Sequence, residues 1–256
     1  MRVSAPTYPV QINVAETFMH GKLNIILLTA AAGACIPIGG FIASQTRIQR
    51  QWLDEEFRHS VIALGAGILL GAVAIVLVPD ALEHLNHSPW AIALMLSGGV
   101  FFYCLEKYLD IHRRSAPQLT GMLLDYVPES LALGGIAASG ADSTMLLAVL
   151  IGLQNLPEGF NAYKELTDAG HSSKKVLLIM LALLPLGPLF GVAGFSVLGD
   201  QHEILGGIML IASGGILYLI FQDIAPQIPI RKHRSPPLGA VIGFSIAMLG
   251  VVLNQY

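Results

Sequence analysis

Val61-Ile-Ala-Leu-Gly-Ala-Gly-Ile-Leu-Leu-Gly-Ala-Val-Ala-Ile-Val-Leu-Val78 passes without one charged side chain. A bilayer core about 30 Å thick needs roughly 20 apolar residues in a helix, so this run reads as a membrane span. Seven more segments read the same way: Leu23–Ile42, Trp90–Leu105, Leu119–Ser139, Thr144–Tyr163, Val176–Leu198, Ile204–Phe221 and Leu238–Leu253. The third of the eight is short, and the fourth and fifth contain proline and acids. The first is too long for the apolar core of a signal peptide, and only Arg2 and Lys22 precede it as basic residues. Ser44–Ser60, charged and containing Trp52, reads as an interfacial helix or loop.

The composition agrees. Of 256 residues, 54% are hydrophobic and 12% charged, where soluble domains carry about 25%. The mean hydropathy is +0.66. Too little polar material remains to cover a globule, which excludes a secreted disulfide scaffold, a disordered chain and a nucleic-acid binder. The two cysteines, Cys35 and Cys104, both lie in apolar runs and offer no Cys-based zinc site.

Orientation follows from Lys and Arg. The loops after segments one, three, five and seven hold Arg47, Arg50 and Arg58; Lys107, Arg113 and Arg114; Lys164, Lys174 and Lys175; and Arg231, Lys232 and Arg234. Of the 14 basic residues, only Arg2 and Lys22 fall on the other side. A miscounted span would scramble this partition. The expectation is a polytopic protein of the plasma (inner) membrane with both termini outside the cytoplasm.

The polar residues inside the segments carry the chemistry. The fourth holds Asp125 and Glu129, and the fifth holds Gln154, Asn155 and Glu158. Spacing of i, i+4 puts Asp125 with Glu129, and Gln154 with Glu158, on one face of each helix. Antiparallel neighbours then bring Asp125 level with Glu158, and Glu129 level with Gln154. An acid at the bilayer centre costs about 2.5–3.5 kcal/mol on insertion scales. Three acids without a basic partner among the spans require protons, water or a bound cation. The alternative is a set of protonated carboxyls hydrogen-bonded between helices.

Asp125-Tyr-Val-Pro128-Glu129-Ser130 is echoed by Gln154-Asn-Leu-Pro157-Glu158-Gly159. Each proline lacks the N–H that would bond the carbonyl four residues earlier, which frees the oxygens of Leu124 and Leu153. In lipid such oxygens must face protein, water or an ion.

On these residues the chain resembles the ZIP (Zrt/Irt-like) family of divalent metal transporters over nearly its full length. Pro128 and Glu129 match the family's helix-four motif, and Pro157, Glu158 and Gly159 its helix-five motif. Gly65-Ala-Gly-Ile-Leu-Leu-Gly71, ending in Pro79-Asp80, is similar to its helix two. Ala212-Ser-Gly-Gly-Ile-Leu-Tyr218, ending in Asp223-Ile-Ala-Pro226, is similar to its helix seven. Both runs share Gly-Ile-Leu, at Gly67 and Gly215, and lie in halves of opposite orientation, as inverted repeats require. The resemblance implies an all-α membrane fold of eight helices, with one to three packed pseudo-symmetrically against six to eight around a central four–five pair. It also implies a divalent cation of the zinc, iron or manganese class as transported substrate, with no organic cofactor.

The chain departs from the motif where Asp125 replaces its His and Tyr126 its Asn. The candidate metal ligands are Asp125, Glu129, Gln154, Asn155 and Glu158, a set without imidazole. Oxygen donors suit manganese, magnesium or calcium better than a His-rich set does, whereas family membership favours zinc, iron or manganese. Tyr126 and Asn155 weaken a second, bridged metal position. The family's His-rich cytoplasmic loop shrinks to Ile111-His112-Arg113-Arg114.

Other residues read as structural. His84 and His87, near Asp80 and Glu83, read as solvated loop histidines rather than an entrance site. Glu106 and Asp223 read as interfacial rather than as an exit. The Gly67/Gly71, Gly187/Gly191 and Gly239/Gly243 pairs read as close helix packing, and Trp52 and Trp90 as interface anchors.

The leading function is ZIP-type uptake of a divalent cation through a midplane carboxylate site. The alternatives are a proton-coupled carrier or a non-transporting metal sensor on the same scaffold, and an intramembrane acid-pair enzyme. The enzyme is disfavoured because His-Glu-x-x-His and Gly-x-Ser-x-Gly are both missing. The expected partners are membrane lipid and metal ions, with no nucleic acid, and a homodimer is left open. Single cysteines at Ser172 and Ser235 are expected to react with an impermeant reagent only from inside, and one at Ser143 only from outside. Equal labelling of all three would break the eight-span arrangement.

Overall fold

The computed structural model describes residues 14–46, 51–110, 117–228 and 235–254, and every element among them is helical. In chain order these are α1 Val14–Gln45, α2 Gln51–Gly71, a π turn Ala72–Leu77, α3 Val78–His84, α4 Trp90–Asp110, α5 Pro117–Ser139 and α6 Ser143–Asp168. There follow α7 Ser173–Leu183, α8 Leu186–Leu198, α9 His202–Leu219, a π turn Ile220–Ile224, a 3-10 turn Ala225–Gln227 and α10 Leu238–Asn254. All eight apolar segments are therefore helical. Arg2, Arg47, Arg50, His112, Arg113, Arg114, Arg231, Lys232 and Arg234, and the side chain of Trp52, lie outside the described residues.

Among the described residues, five helices are long and apolar enough to cross a membrane: Met19–Gln45, Glu55–His84, Trp90–Tyr108, Ser173–Leu198 and His202–Gln227. The apolar stretch of α10, Leu238–Leu253, is shorter. α5 and α6 differ because each carries acids and a proline within it. Outward-facing Leu96, Val100, Leu189, Val197, Phe221, Val241 and Leu253 are all more than 60% exposed. A bundle apolar outside as well as inside suits lipid rather than water.

Two segments differ from the single uniform span expected. The second begins well before Val61: α2 starts at Gln51, so most of the expected interfacial stretch is the first part of that helix. It then runs through a π turn into α3 and ends at His84. The sixth breaks at Leu184–Pro185, where Pro185 starts the next helix because it cannot continue the hydrogen-bond ladder.

The bundle is held by four close helix pairs: α1 on α6, α5 on α8, α2 on α10 and α4 on α9. Each is closed by glycines from both partners. In the first pair, a Cβ on Gly39 would strike the Leu156 carbonyl, and one on Gly159 the Ile36 carbonyl. In the second, Gly134 faces the Gly191 carbonyl and Gly194 the Leu131 carbonyl. Gly67 and Gly243 close α2 on α10, and Gly98 and Gly214 close α4 on α9, in the same manner. The glycine pairs expected to serve packing do so, with Gly71 against Ala247, Gly187 against Tyr126, Gly191 against Thr29 and Gly239 against the Ser60 carbonyl. Small residues let backbones approach where lipid supplies no hydrophobic drive to associate.

One end of the bundle is tied by polar contacts. Arg58 near the start of α2 pairs with Asp168 at the end of α6 at 3.3 Å. Ser235, just before α10, donates to Glu56. At the other end Ser143 of α6 donates to Asp80 of α3. That bond makes exposed Asp142 a more open position than Ser143 for a cysteine reporter on that side.

Gly194→Ala places a methyl against the Leu131 carbonyl and the Gly135 amide nitrogen, and backbone cannot yield as a side chain can. The expected cost is about 1–3 kcal/mol, read as a lowered unfolding temperature in detergent. Gly207→Ala, whose methyl meets only Leu94 at an ordinary 3.8 Å, is the control and should unfold like the parent.

Candidate functional site

Helices α5 and α6 are joined by a short turn in which Gly140 has φ +74°, a backbone conformation that favours glycine. Both helices continue through their prolines, Pro128 and Pro157. Pro157 packs on Gly65 of α2, where a Cβ would come within 3.0 Å of its ring. The polar faces thereby meet inside the bundle. Glu129, Gln154 and Asn155 are fully buried, and Asp125 is nearly so.

The expected levels are those observed. Gln154 Nε2 donates to Glu129 Oε1 at 2.6 Å and to Oε2 at 2.7 Å. One amide nitrogen thus bridges both oxygens of the carboxyl, a short contact typical of a charged acceptor. One turn away, Asp125 and Glu158 face each other and line one cavity. Two ionised carboxyls hold no donor between them, so a proton or a cation is what can join them.

Asn155 turns elsewhere. Its Nδ2 donates to the Ala32 carbonyl of α1 at 3.0 Å, tying α6 to α1, and its Oδ1 has no partner. Tyr126 is also fully buried. Its hydroxyl donates to the Thr29 carbonyl at 3.4 Å, and its ring end fills the space over Gly33 and Gly187. The side chain that stands where the motif has Asn is therefore a wedge between α1 and α8.

Six buried oxygens in this region have no hydrogen-bond partner: Asp125 Oδ1, Gln154 Oε1, Asn155 Oδ1, both Glu158 Oε atoms and Asn161 Oδ1. Every one is an acceptor. An unsatisfied buried polar atom costs about 1–3 kcal/mol, more when charged. Among the described residues, no Lys, Arg or His pairs with any of the three acids. The deficit is one of donors, which protons, water or a cation supply to oxygen acceptors.

Space for such an ion lies beside the acid pair. A cavity of about 40 Å³ is bounded by Gly121, Met122, Asp125 and Glu158, with Leu219 from α9, Asp223 and Ile224 from the π turn and Gln227 from the 3-10 turn. A water needs roughly 10–15 Å³ measured this way, so an ion with one or two waters fits. A second cavity of about 20 Å³ touches Glu158 and Asn161 beside Gly65, Pro157 and Ile224. Among the described residues no three His, Cys, Asp or Glu side chains converge as a ready-made cage. Glu129 is held by Gln154, and the carboxyls at the larger cavity are the facing pair Asp125 and Glu158, with Asp223 in its wall.

Three polar residues at these cavities escaped the sequence reading. Asn161 follows Glu158 at i+3 and was within reach of the same helical arithmetic. Asp223, read as interfacial, and Gln227 arrive from another helix, which spacing alone does not bring together. Glu106 also differs from expectation. It is 8% exposed rather than solvated, and its Oε2 accepts the Tyr218 hydroxyl at 2.5 Å, joining α4 to α9.

No family model matches the chain, and no curated protein matches it.

Gln154→Leu removes both donors from Glu129 and leaves a buried carboxyl bare. A loss of about 3 kcal/mol in unfolding free energy is expected. Replacing both partners, as Glu129→Leu with Gln154→Leu, should recover most of it, since an apolar pair leaves nothing unsatisfied. A double variant as unstable as the single one would mean that the pair is not the unit at stake.

Proposed function

We propose that this protein is a ZIP-type transporter that carries divalent cations of the zinc, iron and manganese class across the plasma (inner) membrane into the cytoplasm. The observation that carries the reading is the set of six unpartnered buried oxygens around three acids with no basic partner. Such a set is costly unless a cation visits it.

The reading includes eight spans arranged as inverted repeats, with both termini outside. Several contacts support it. Under an exchange of segments one, two, three and four for six, seven, eight and five, the α1–α6 pair becomes α8–α5, and α2–α10 becomes α9–α4. Those are the four glycine-closed pairs. The π turns also correspond, since each starts at the same offset after its Gly-Ile-Leu glycine, Gly67 or Gly215. π turns cluster at functional sites because they re-aim side chains and free backbone groups. Here the second one brings Asp223 and Ile224 to the acid pair.

In this mechanism a hydrated cation enters from outside and sheds water to the carboxyls near the midplane. Gln154 swings from Glu129, and its Oε1 and the freed carboxylate become ligands beside Asp125 and Glu158. The Gln154 amide holds Glu129 between turnovers, so that carboxyl is never left bare. Rocking of one repeat against the core then opens the far side. The cavity shared with Asp223 and Gln227 lies toward the end where α9 finishes, α6 finishes and α5 begins. On the proposed topology that end is cytoplasmic.

Glu129→Ala and Glu158→Ala should each lower cation flux into proteoliposomes at least about tenfold with near-normal expression, because removing a buried acid relieves the membrane cost. Both variants transporting like the parent would exclude this pathway. Binding without flux in the parent would make the protein a sensor.

Asp125→His tests the selectivity. Imidazole is a borderline donor that zinc prefers to manganese, whereas a carboxylate is hard. The Zn(II)/Mn(II) flux ratio in competition should rise, even if both absolute rates fall. An unchanged ratio with flux intact would remove Asp125 from the ligand set.

A further inference from the structure

The opposite end of the bundle holds a second set of donors, of different chemistry. His84 is the last residue of α3 and His202 the first of α9. Sequence reading took His84 for a solvated loop residue, but its ring stacks on that of His202. The centroids are 5.3 Å apart and the planes 16° from parallel. His84 is half-buried and His202 exposed, so the pair is reachable from water.

The pairing is built into the helix contact. α3 packs on α9, and Gly206 allows it: a Cβ there would come within 3.0 Å of the His84 Cβ and 2.9 Å of the Ala81 carbonyl oxygen. His202 lies one turn before Gly206 and so overhangs His84. Asp80, one turn before His84, is fixed by Ser143 of α6. Glu83 and Asp80 both act electrostatically on His84. Two imidazoles on separate, packed helices, with acids beside them, are preorganised for a cation.

We propose that His84 and His202 form a bis-imidazole site for a late first-row divalent cation such as Zn(II), Ni(II) or Cu(II). Imidazole suits these ions. Two rings bound through nitrogen at about 2 Å to one tetrahedral ion stand about 5 Å apart at their centroids, which is the spacing found here, and the stacked rings turn about their side-chain bonds to bring one nitrogen of each onto the ion. Water completes the coordination, and Asp80 and Glu83 lend negative charge nearby. The ion links the end of α3 to the start of α9, and so clamps the two π-containing segments at the end remote from the Asp125–Glu158 cavity. The site is chemically distinct from the interior one, which offers only oxygen. It rests on a separate observation from the transport reading and stands or falls independently of it.

The test uses the full chain in detergent, carrying Asp125→Ala, Glu129→Ala and Glu158→Ala so that the three interior acids contribute nothing. Zn(II) titrated by calorimetry should bind this background and raise its unfolding temperature, whereas Mg(II) should do neither. Cu(II) at one equivalent should give an electron paramagnetic resonance spectrum with coupling to two nitrogens. The near-isosteric changes His84→Asn and His202→Asn should each weaken Zn(II) about tenfold or more, abolish the thermal shift and reduce the nitrogen coupling to one or none. His87→Asn, altering an exposed neighbour, should change none of these. The proposal is overturned if the background protein binds no Zn(II), or if either Asn variant keeps the parent affinity and the two-nitrogen spectrum. An Asn variant that unfolds at the metal-free parent temperature yet gains nothing from Zn(II) confirms that the loss is of a ligand and not of the fold.

Discussion

Three carboxyl groups are buried in a bundle that is apolar on both its inner and its outer surfaces, and no basic side chain among the described residues reaches them. Much of the architecture can be understood from that constraint. Charge buried in a medium of low dielectric must be neutralised, hydrogen-bonded or joined to a counter-ion. The protein meets the demand only in part. Gln154 covers Glu129 with two short bonds, while Asp125 and Glu158 are left against each other beside a cavity. Six acceptor oxygens remain open. A structural network would close on itself, and this one does not. What it lacks is a donor, which a proton, a water or a cation supplies.

Keeping such a site inside the membrane requires rigid surroundings, and the packing supplies them. Backbone carbonyls press on glycines from both sides of four helix pairs, so the helices sit too close to slide freely. The regular α-helical ladder is interrupted at a few places among the described residues: the π turns at Ala72–Leu77 and Ile220–Ile224, the break at Pro185, and the proline steps of α5 and α6. Tyr126 adds a further constraint. Its hydroxyl fills the space left by Gly33 and Gly187, so the core pair is locked to α1 and α8 at the level of the acids.

Polar residues at the ends of the second, third and seventh segments have more to do than their positions in the chain suggest. Asp223 and Gln227 reach the acid pair, Glu106 is tied to Tyr218, and His84 meets His202. From their neighbours in sequence, Asp223 and Glu106 read as interfacial and His84 as solvated. The position of each is instead set by a contact between α9, or the turns that follow it, and another helix. The π turn matters because one extra residue in a helical turn rotates everything after it, which moves Asp223 off the face that regular helical spacing assigns.

The sequence by itself determined the helical segments, because runs without charge over bilayer length have few other solutions, and it determined which residues share a helix face. Asp125 with Glu129, Gln154 with Glu158, and the levels at which the two pairs meet all follow from a period of 3.6 residues and an antiparallel turn. It also identified the glycine pairs that pack. The tertiary structure alone decided which donor goes to which acceptor. Asn155 turns to Ala32 of α1 although it stands next to Gln154, and Tyr126 turns to Thr29 although it stands next to Asp125. Helical periodicity gives a direction around one axis, whereas a partner depends on which neighbouring helix occupies that direction, and at what depth. That is fixed by glycine contacts, a proline break and two π turns spread over the whole chain, none of which acts through local spacing.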